Sequence, residues 1–260
     1  MIDLHSHLLP GIDDGAQTPE DAVAMARLAV ATGTTTLACT PHIYPGLFPN
    51  TRETIAAARA VLDDALAAEG IALDIVVGAD IQIVPELAQQ LSAGVLPTLN
   101  DTRYFLFEPP HHVPNTSMLE LVHSCVAAGF TPLITHPERL AYARAHYREF
   151  EEAVELGAWL QLTGGAITGR FGPEAESLSK RFLADRLVSV VASDGHDTRN
   201  RPPVLAEAFE VCTGLVGEAE AQRLFIERPA AVLADVPPGD IPPPDPIQQE
   251  TKGFFGRLFG

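Results

Sequence analysis

Apolar residues in this chain fall in short runs, separated by longer stretches in which they recur every three or four positions. The short runs lie at 2–5, 34–40, 73–77, 104–108, 132–136, 159–162 and 187–192, and most are rich in Val, Ile, Leu, Thr or aromatics. That is the composition of parallel strands buried on both faces. The longer stretches read as helices. Thr18-Pro19-Glu20-Asp21 is a start signal: an N-cap Thr, Pro at the first helical position and acids in the first turn. Ala22, Ala26, Ala29 and Val30 follow at helical spacing, and Gly33 ends the run. Further helices are predicted over 51–69, stopped by Gly70, over 118–128, stopped by Gly129, and near 147–156, 173–184, 204–213 and 219–226.

Strands alternating with helices define an α/β chain, either a parallel barrel or a doubly wound sheet. The polar residues separate the two. His5, His42, Asp80, Glu108, His136 and Asp194 each stand at or just past the end of a strand run. A barrel gathers chemistry on its C-terminal rim from many strands, whereas an open sheet concentrates it at one switch point. So many contributing strand ends predict a barrel. No internal repeat is visible.

Bulk properties narrow the function. The chain has 260 residues, 46% of them hydrophobic, enough for one large domain with a sizeable core. A net charge of −17 repels DNA and RNA and disfavours anionic membranes outside a local basic patch. Met1-Ile2-Asp3-Leu4-His5 has no basic region or long apolar run, and no stretch of ~18 apolar residues follows, so the expectation is a cytoplasmic protein without a transmembrane segment. Cys39, Cys125 and Cys212 are odd in number and far apart, which implies no disulfide framework. Neither Thr131 nor Glu218, six residues after Cys125 and Cys212, supplies the arginine of a cysteine phosphate loop.

From Pro237 the character changes. Residues 237–246 form a proline-rich linker expected to be extended, and Lys252, Phe254, Phe255, Arg257, Leu258 and Phe259 mark a basic-aromatic tail. The expected division is a catalytic domain over 1–236 and linker plus tail over 237–260. Four apolar tail residues share one face of a helix too short to form alone, which predicts weak, reversible docking on a membrane surface or a partner.

The chemistry lies in short motifs. His5-Ser6-His7 puts two imidazoles on one strand face, where both can grip one ion. Asp194 and His196 repeat that spacing after the last strand run. His42 and His136 add imidazoles at matched positions, and Asp80 and Glu108 add carboxylates that are costly to bury unless paired or cation-bound. In the turn Gly11-Ile12-Asp13-Asp14-Gly15 one Asp can fold back to the site while the other caps the turn. His5, His7, Asp14, His42, Asp80, Glu108, His136, Asp194 and His196 are too many ligands for one tetrahedral ion. They suit two or three divalent ions with mixed nitrogen and oxygen ligation, namely manganese, iron or zinc. Four carboxylates against three such ions leave about +2, which attracts a phosphate dianion. Arg139 and Arg201 stand on two of the ligand-bearing loops, and guanidinium forks match phosphate oxygens.

These motifs, with Leu9-Pro10-Gly11-Ile12-Asp13-Asp14-Gly15, Thr40-Pro41-His42, Gly78-Ala79-Asp80-Ile81, His136-Pro137-Glu138-Arg139, Ala192-Ser193-Asp194-Gly195-His196 and Arg201-Pro202-Pro203, resemble one family from residue 1 to about 235. It is the polymerase-and-histidinol-phosphatase (PHP) superfamily, specifically its bacterial CpsB/CapC-type protein-tyrosine phosphatases of capsule and exopolysaccharide operons. The resemblance implies a distorted seven-stranded β/α barrel, TIM-barrel-like, with a trinuclear centre that usually holds manganese. It assigns one ion to His5, His7, Asp194 and either Asp80 or Glu108. A second falls among Asp80, Glu108 and His136, and a third to Asp14, His42 and His196. Arg139 and Arg201 would bind the substrate phosphate, on the phosphotyrosine tail of a membrane-associated tyrosine kinase, placing the protein at the inner face of the membrane. A phenol leaving group, with a pKa near ~10, needs only modest help from an ion or an acid such as His42. The family reads Gly-Ala-Glu where this chain has Asp80, one methylene shorter. A small-molecule phosphatase, such as one for histidinol phosphate, and a metal-binding regulatory partner without turnover are the alternatives; an amidohydrolase fits less well because of the two arginines.

Overall fold

The computed structural model describes residues 1–244; the predicted docking segment of the tail lies outside them. Ten strands are present: β1 (Ile2–Ser6), β2 (Thr36–Cys39), β3 (His42–Tyr44), β4 (Phe48–Pro49), β5 (Asp74–Val77), β6 (Asp80–Gln82), β7 (Tyr104–Glu108), β8 (Thr131–Thr135), β9 (Trp159–Thr163) and β10 (Val188–Ala192). The helices are α1 (Pro19–Ala31), α2 (Arg52–Ala68), α3 (Leu87–Ser92), α4 (Met118–Ala127), α5 (Tyr147–Glu155), α6 (Gly164–Ile167), α7 (Pro173–Ala184), α8 (Ala206–Val216), α9 (Glu218–Gln222) and α10 (Arg228–Leu233). Every predicted strand run lands on a strand. The unpredicted β3, β4 and β6 are too short for period-two alternation to show.

The strands pair as two sheets, β1-β2-β5 and β10-β9-β8-β7-β6-β3-β4, parallel except for the β3–β4 pair. The division into two follows from breaks just past the ends of two predicted strand runs, 34–40 and 73–77. Pro41, which has no N–H to donate, separates β2 from β3, and Gly78-Ala79 separates β5 from β6. The sheets meet again at Ser6 and Gly195, which form a parallel bridge, and Asp194 N donates to His5 O at 2.9 Å.

Helix starts obey the local signals. Thr18 Oγ1 accepts from Asp21 N, and Asp21 Oδ2 accepts from Thr18 N, both at 3.2 Å. Predicted helix 219–226 instead forms α9, a π turn over Arg223–Glu227 and then α10. The wider turn precedes Pro229, whose ring would crowd the carbonyl four residues back in a regular helix.

Leu4, Ala38, Leu106, Leu133 and Val190, from β1, β2, β7, β8 and β10, form one fully buried apolar layer, with Val76 of β5 and Trp159 of β9 packed against it. Leu99, Val232, Leu233 and Ile241 pack on the same layer. Ile241 belongs to the proline-rich segment, and the segment's start is not extended: Pro238–Asp240 make a 3-10 turn, and Arg228 Nε donates to Pro242 O at 3.1 Å. Arg228 is itself buried and paired with Glu220 at 2.6 Å. Proline here removes N–H donors but still allows one tight turn, because the fixed φ suits it.

The apolar layer carries the polar one. On β7, Leu106 and Glu108 are two residues apart and so share a face. Leu106→Ala is therefore expected to cost about 2–5 kcal/mol of stability, read by urea denaturation with a chelator present; a loss under ~1 kcal/mol would show that this layer does not support the fold.

Candidate metal centre

Two side chains reach the centre from residues with unusual backbone. His136, directly beyond β8, and Asp194, two residues beyond β10, are non-glycine residues in the left-handed region, at φ 38° and 50°. Each such residue costs about 1–3 kcal/mol, strain that surrounding contacts must offset. The loop after β1 folds back through Ala16 N to His7 O, at 2.9 Å. A Cβ on Gly15 would lie 2.1 Å from His7 O, so only glycine permits this approach. Gly195 likewise lies against Pro203, 2.8 Å from where its Cβ would be. That contact explains the Arg201-Pro202-Pro203 motif: Pro203 covers Gly195, while Arg201 O accepts from His196 N at 2.7 Å.

All nine predicted ligands converge. His5 Nε2 lies 3.2 Å from His7 Nε2, 3.4 Å from Asp80 Oδ2 and 3.3 Å from Asp194 Oδ1. His42 Nε2 and His196 Nε2 lie 3.4 and 3.3 Å from Asp14 Oδ1. His42 Nδ1 is 3.5 Å from Asp80 Oδ2 and 3.4 Å from Glu108 Oε2. His136 Nε2 is 3.8 Å from both Asp80 Oδ2 and Glu108 Oε1. Adjacent ligand atoms at ~2.1 Å from one ion are roughly 3.0–3.4 Å apart, so most of these spacings fit shared cations. Asp80 Oδ2 is within 3.8 Å of His5, His42 and His136 together, so the shorter Asp still stands between the three imidazoles.

The donor set fits cations on a second ground. Both Asp80 oxygens, Asp194 Oδ1 and His196 Nε2 are buried without a hydrogen-bond partner. A buried carboxylate in that state is costly unless a cation holds it. Burial disfavours the charged form of His5, but Asp194 and Asp80 outweigh it and push the pKa up to about 9. Burial opposes protonation of His42 too, and is overcome by Glu108 and Asp80, raising it to about 10. Burial and Arg139 hold His136 down at about 4, and burial with His7 does the same for His196.

Outer partners orient the ring nitrogens. His5 Nδ1 donates to Gln161 Oε1 at 2.9 Å, His7 Nδ1 bonds Asp13 Oδ2 at 2.7 Å, and His196 Nδ1 donates to Asp194 O at 2.9 Å. Each leaves Nε2 facing the centre. The Asp13-Asp14 ambiguity is thereby settled in space: Asp14 faces His42 and His196, while Asp13 is buried and also caps Gly15 N and His42 N.

Several residues here were not singled out from sequence. His111 groups with Glu108 and His136, its Nε2 lying 3.5 Å from Glu108 Oε1. It follows Pro109-Pro110 in a loop, and its only signal was lying three residues after a candidate ligand. Glu138 accepts from Thr163 N at 2.8 Å, tying the turn that carries Arg139 to the end of β9. Arg139 and Arg201 both donate to Asp194 Oδ2, the latter at 2.6 Å. The Arg139 guanidinium stacks 4.4 Å above the Phe171 ring, a contact between residues far apart in sequence.

The family model for capsular polysaccharide synthesis, CpsB/CapC, matches residues 1–234. This chain belongs to that family. It is 34% identical over 256 residues to tyrosine-protein phosphatase YwqE of Bacillus subtilis strain 168, covering 98% of this chain and 100% of that protein. Against tyrosine-protein phosphatase CpsB of Streptococcus pneumoniae it is 30% identical over 242 residues, covering 90% and 99%. A crystal structure from work on YwqE of B. subtilis and CpsB of S. pneumoniae, described there as unique metal-dependent tyrosine phosphatases, superposes with a TM-score of 0.85 at 33% identity, covering 90% of this chain and 95% of that one. Among the described residues, no helix is long and apolar enough to cross a membrane.

Only a neutral nitrogen binds a metal, so protons on His5 and His42 must leave when an ion enters. With pKa values of about 9 and 10, both are protonated at pH 7, and raising the pH toward those values removes the competition. Manganese affinity is expected to rise by roughly one to two orders of magnitude per pH unit between pH 6 and 8, measured by equilibrium dialysis. A flat profile would show that neither imidazole gives up a proton when the ion enters.

Proposed function

We propose that this chain is a metal-dependent protein-tyrosine phosphatase, acting on phosphotyrosine in the tail of a membrane-associated tyrosine kinase of capsule or exopolysaccharide biosynthesis, on the cytoplasmic side. One observation carries the reading: a buried ring of imidazoles and carboxylates meets two arginines at a single residue, Asp194. The names of the relatives point the same way.

The two sheets are read as one distorted seven-membered β/α barrel. In it β2 and β3 act as one bent strand, β5 and β6 as another, and the Ser6–Gly195 bridge joins the ends. Support comes from the apolar layer, to which all seven members contribute. Residues 1–236 are assigned to the phosphatase domain and 237–260 to linker and tail, the linker beginning as a strap packed through Ile241.

Two or three ions are assigned, manganese first. His5, His7, Asp80 and Asp194 would hold one, Asp80, Glu108, His111 and His136 a second, and Asp14, His42 and His196 a third. Bound there, such ions supply the charge and the activation of water that an in-line phosphate displacement requires. Arg139 and Arg201 take the phosphoryl oxygens. Arg201 Nε is buried with no acceptor, a donor still aimed at a missing partner. Water oxygen bonds to phosphorus as the phosphorus–phenol oxygen bond breaks; one water proton stays with the phosphate and the other ends on the phenolate oxygen. His42 turns both nitrogens to carboxylates, so its part as a ligand takes precedence over proton donation.

His136→Ala and Asp194→Ala are each expected to cut turnover of a phosphotyrosine peptide to below about a tenth of wild type, with circular dichroism unchanged. Arg201→Ala is expected to lower kcat/KM about ten- to a hundredfold with metal content intact. Metal analysis and assays on phosphotyrosine peptide and histidinol phosphate decide the class: faster hydrolysis of histidinol phosphate, or at most one ion per chain under every loading condition, would overturn this reading.

A further inference from the structure

Most cations among the described residues of this acidic chain are neutralised in pairs, and three of the four exceptions are grouped. Among the described residues, Arg144, Arg170, Arg186 and Arg199 have neither an ion pair nor a side-chain hydrogen bond, and all four are exposed. Arg186 precedes β10, at the opposite end of that strand from Asp194. The other three stand on the segments that leave the C-terminal ends of β8, β9 and β10, the first and last of which also carry Arg139 and Arg201. Three of the four unpaired arginines among the described residues thus stand on the rim that carries the centre, on a chain of net charge −17.

Arg144 shares a cavity of about 330 Å³ with Arg139, His111, Phe171 and Leu178. At ~30 Å³ per water, that is room for roughly ten waters, more than a single phosphate fills. Of the acids on its wall, Glu138 is turned onto Thr163 N, and Glu174 stands exposed at the start of α7. Phe171 also lines a second, narrower cleft with Arg170, Arg201 and the exposed acid Glu207. Each arginine on Asp194 thus has an unpaired arginine beside it in the same depression.

We propose that Arg144 and Arg170, each lining one of the two depressions that share Phe171, bind a second anionic group of the substrate, a carboxylate or a further phosphate on a residue flanking the phosphotyrosine. The substrate class is then an acidic phosphopeptide. This rests on the tyrosine-phosphatase reading above. Charge complementarity carries it: most of this acidic surface repels such a peptide, so the rim supplies both attraction and register. Salt should weaken the effect, because the arginines are exposed.

The test uses the full, manganese-loaded chain and three matched phosphotyrosine peptides. Their flanking positions carry Asn and Gln, Asp and Glu, or a second phosphotyrosine. Wild type is expected to show a kcat/KM roughly three- to tenfold higher on one or both anionic peptides, with the advantage shrinking at high salt. Preference for both assigns any anion to the rim; preference for the doubly phosphorylated peptide alone assigns phosphate. In Arg144→Gln/Arg170→Gln the preference should fall to within about twofold, and Arg144→Glu should reverse it. Equal kcat/KM on all three peptides in wild type, or a preference untouched by the substitutions, overturns the proposal while leaving the phosphatase reading standing. Hydrolysis of none of them overturns both.

Discussion

The Asp80 carboxylate is the constraint around which this protein is arranged. It is fully buried, neither oxygen has a hydrogen bond, and three imidazoles and the Glu108 carboxylate stand around it. Burial alone would drive its proton affinity up, yet His5, His136 and His42 hold it well below the usual carboxylate range. Such a charge persists only where partners that favour it converge from several directions at once. No single helix or hairpin does that. A parallel α/β fold does, because each strand end delivers one side chain to a common rim, and the apolar layer of Leu4, Leu106, Leu133 and Val190 fixes where those ends stand.

Local stability is given up to achieve the convergence. His136 and Asp194 adopt a backbone that glycine would tolerate better, and Gly15 and Gly195 stand where any side chain would collide. These four positions lie in the loops that form the centre. Elsewhere the chain follows its propensities, with Thr18 and Thr51 both capping helices through reciprocal bonds. Left-handed non-glycine backbone also occurs away from the centre, at Asn100, Asp101, Arg186 and Asp235, but only at His136 and Asp194 does it carry a side chain into the ring of imidazoles and carboxylates.

What could be read from the sequence follows the same division. Buried strands announce themselves through runs of branched apolar residues, and ligands placed at their ends inherit that visibility, so His5, Glu108, His136 and Asp194 stood out. The breaks at Pro41 and Gly78 did not, because an interrupted strand leaves fragments too short for periodicity. His111 was hidden for a different reason: it reaches Glu108 from a loop, where no alternation marks direction. Gln161 and Phe171 act only through residues distant in the chain, His5 and Arg139, and nothing local distinguishes them from ordinary members of a strand and a loop.

Asp194 shows why the cation centre and the two arginines work as one site. Its Oδ1 faces His5, His7 and His196, while its Oδ2 takes Arg139 and Arg201. The charge is thus divided between two sets of partners on opposite oxygens. A phosphate dianion can draw on the guanidinium donors without leaving Asp194 as an isolated buried anion, because the imidazole side still holds it. Conversely, each arginine is kept near the centre by a partner it can share, and Phe171 limits how far Arg139 can swing away. Guanidiniums tied to a fully private carboxylate would be spent before substrate arrived; tied to one that is already supported, they remain positioned and still able to accept a second anion.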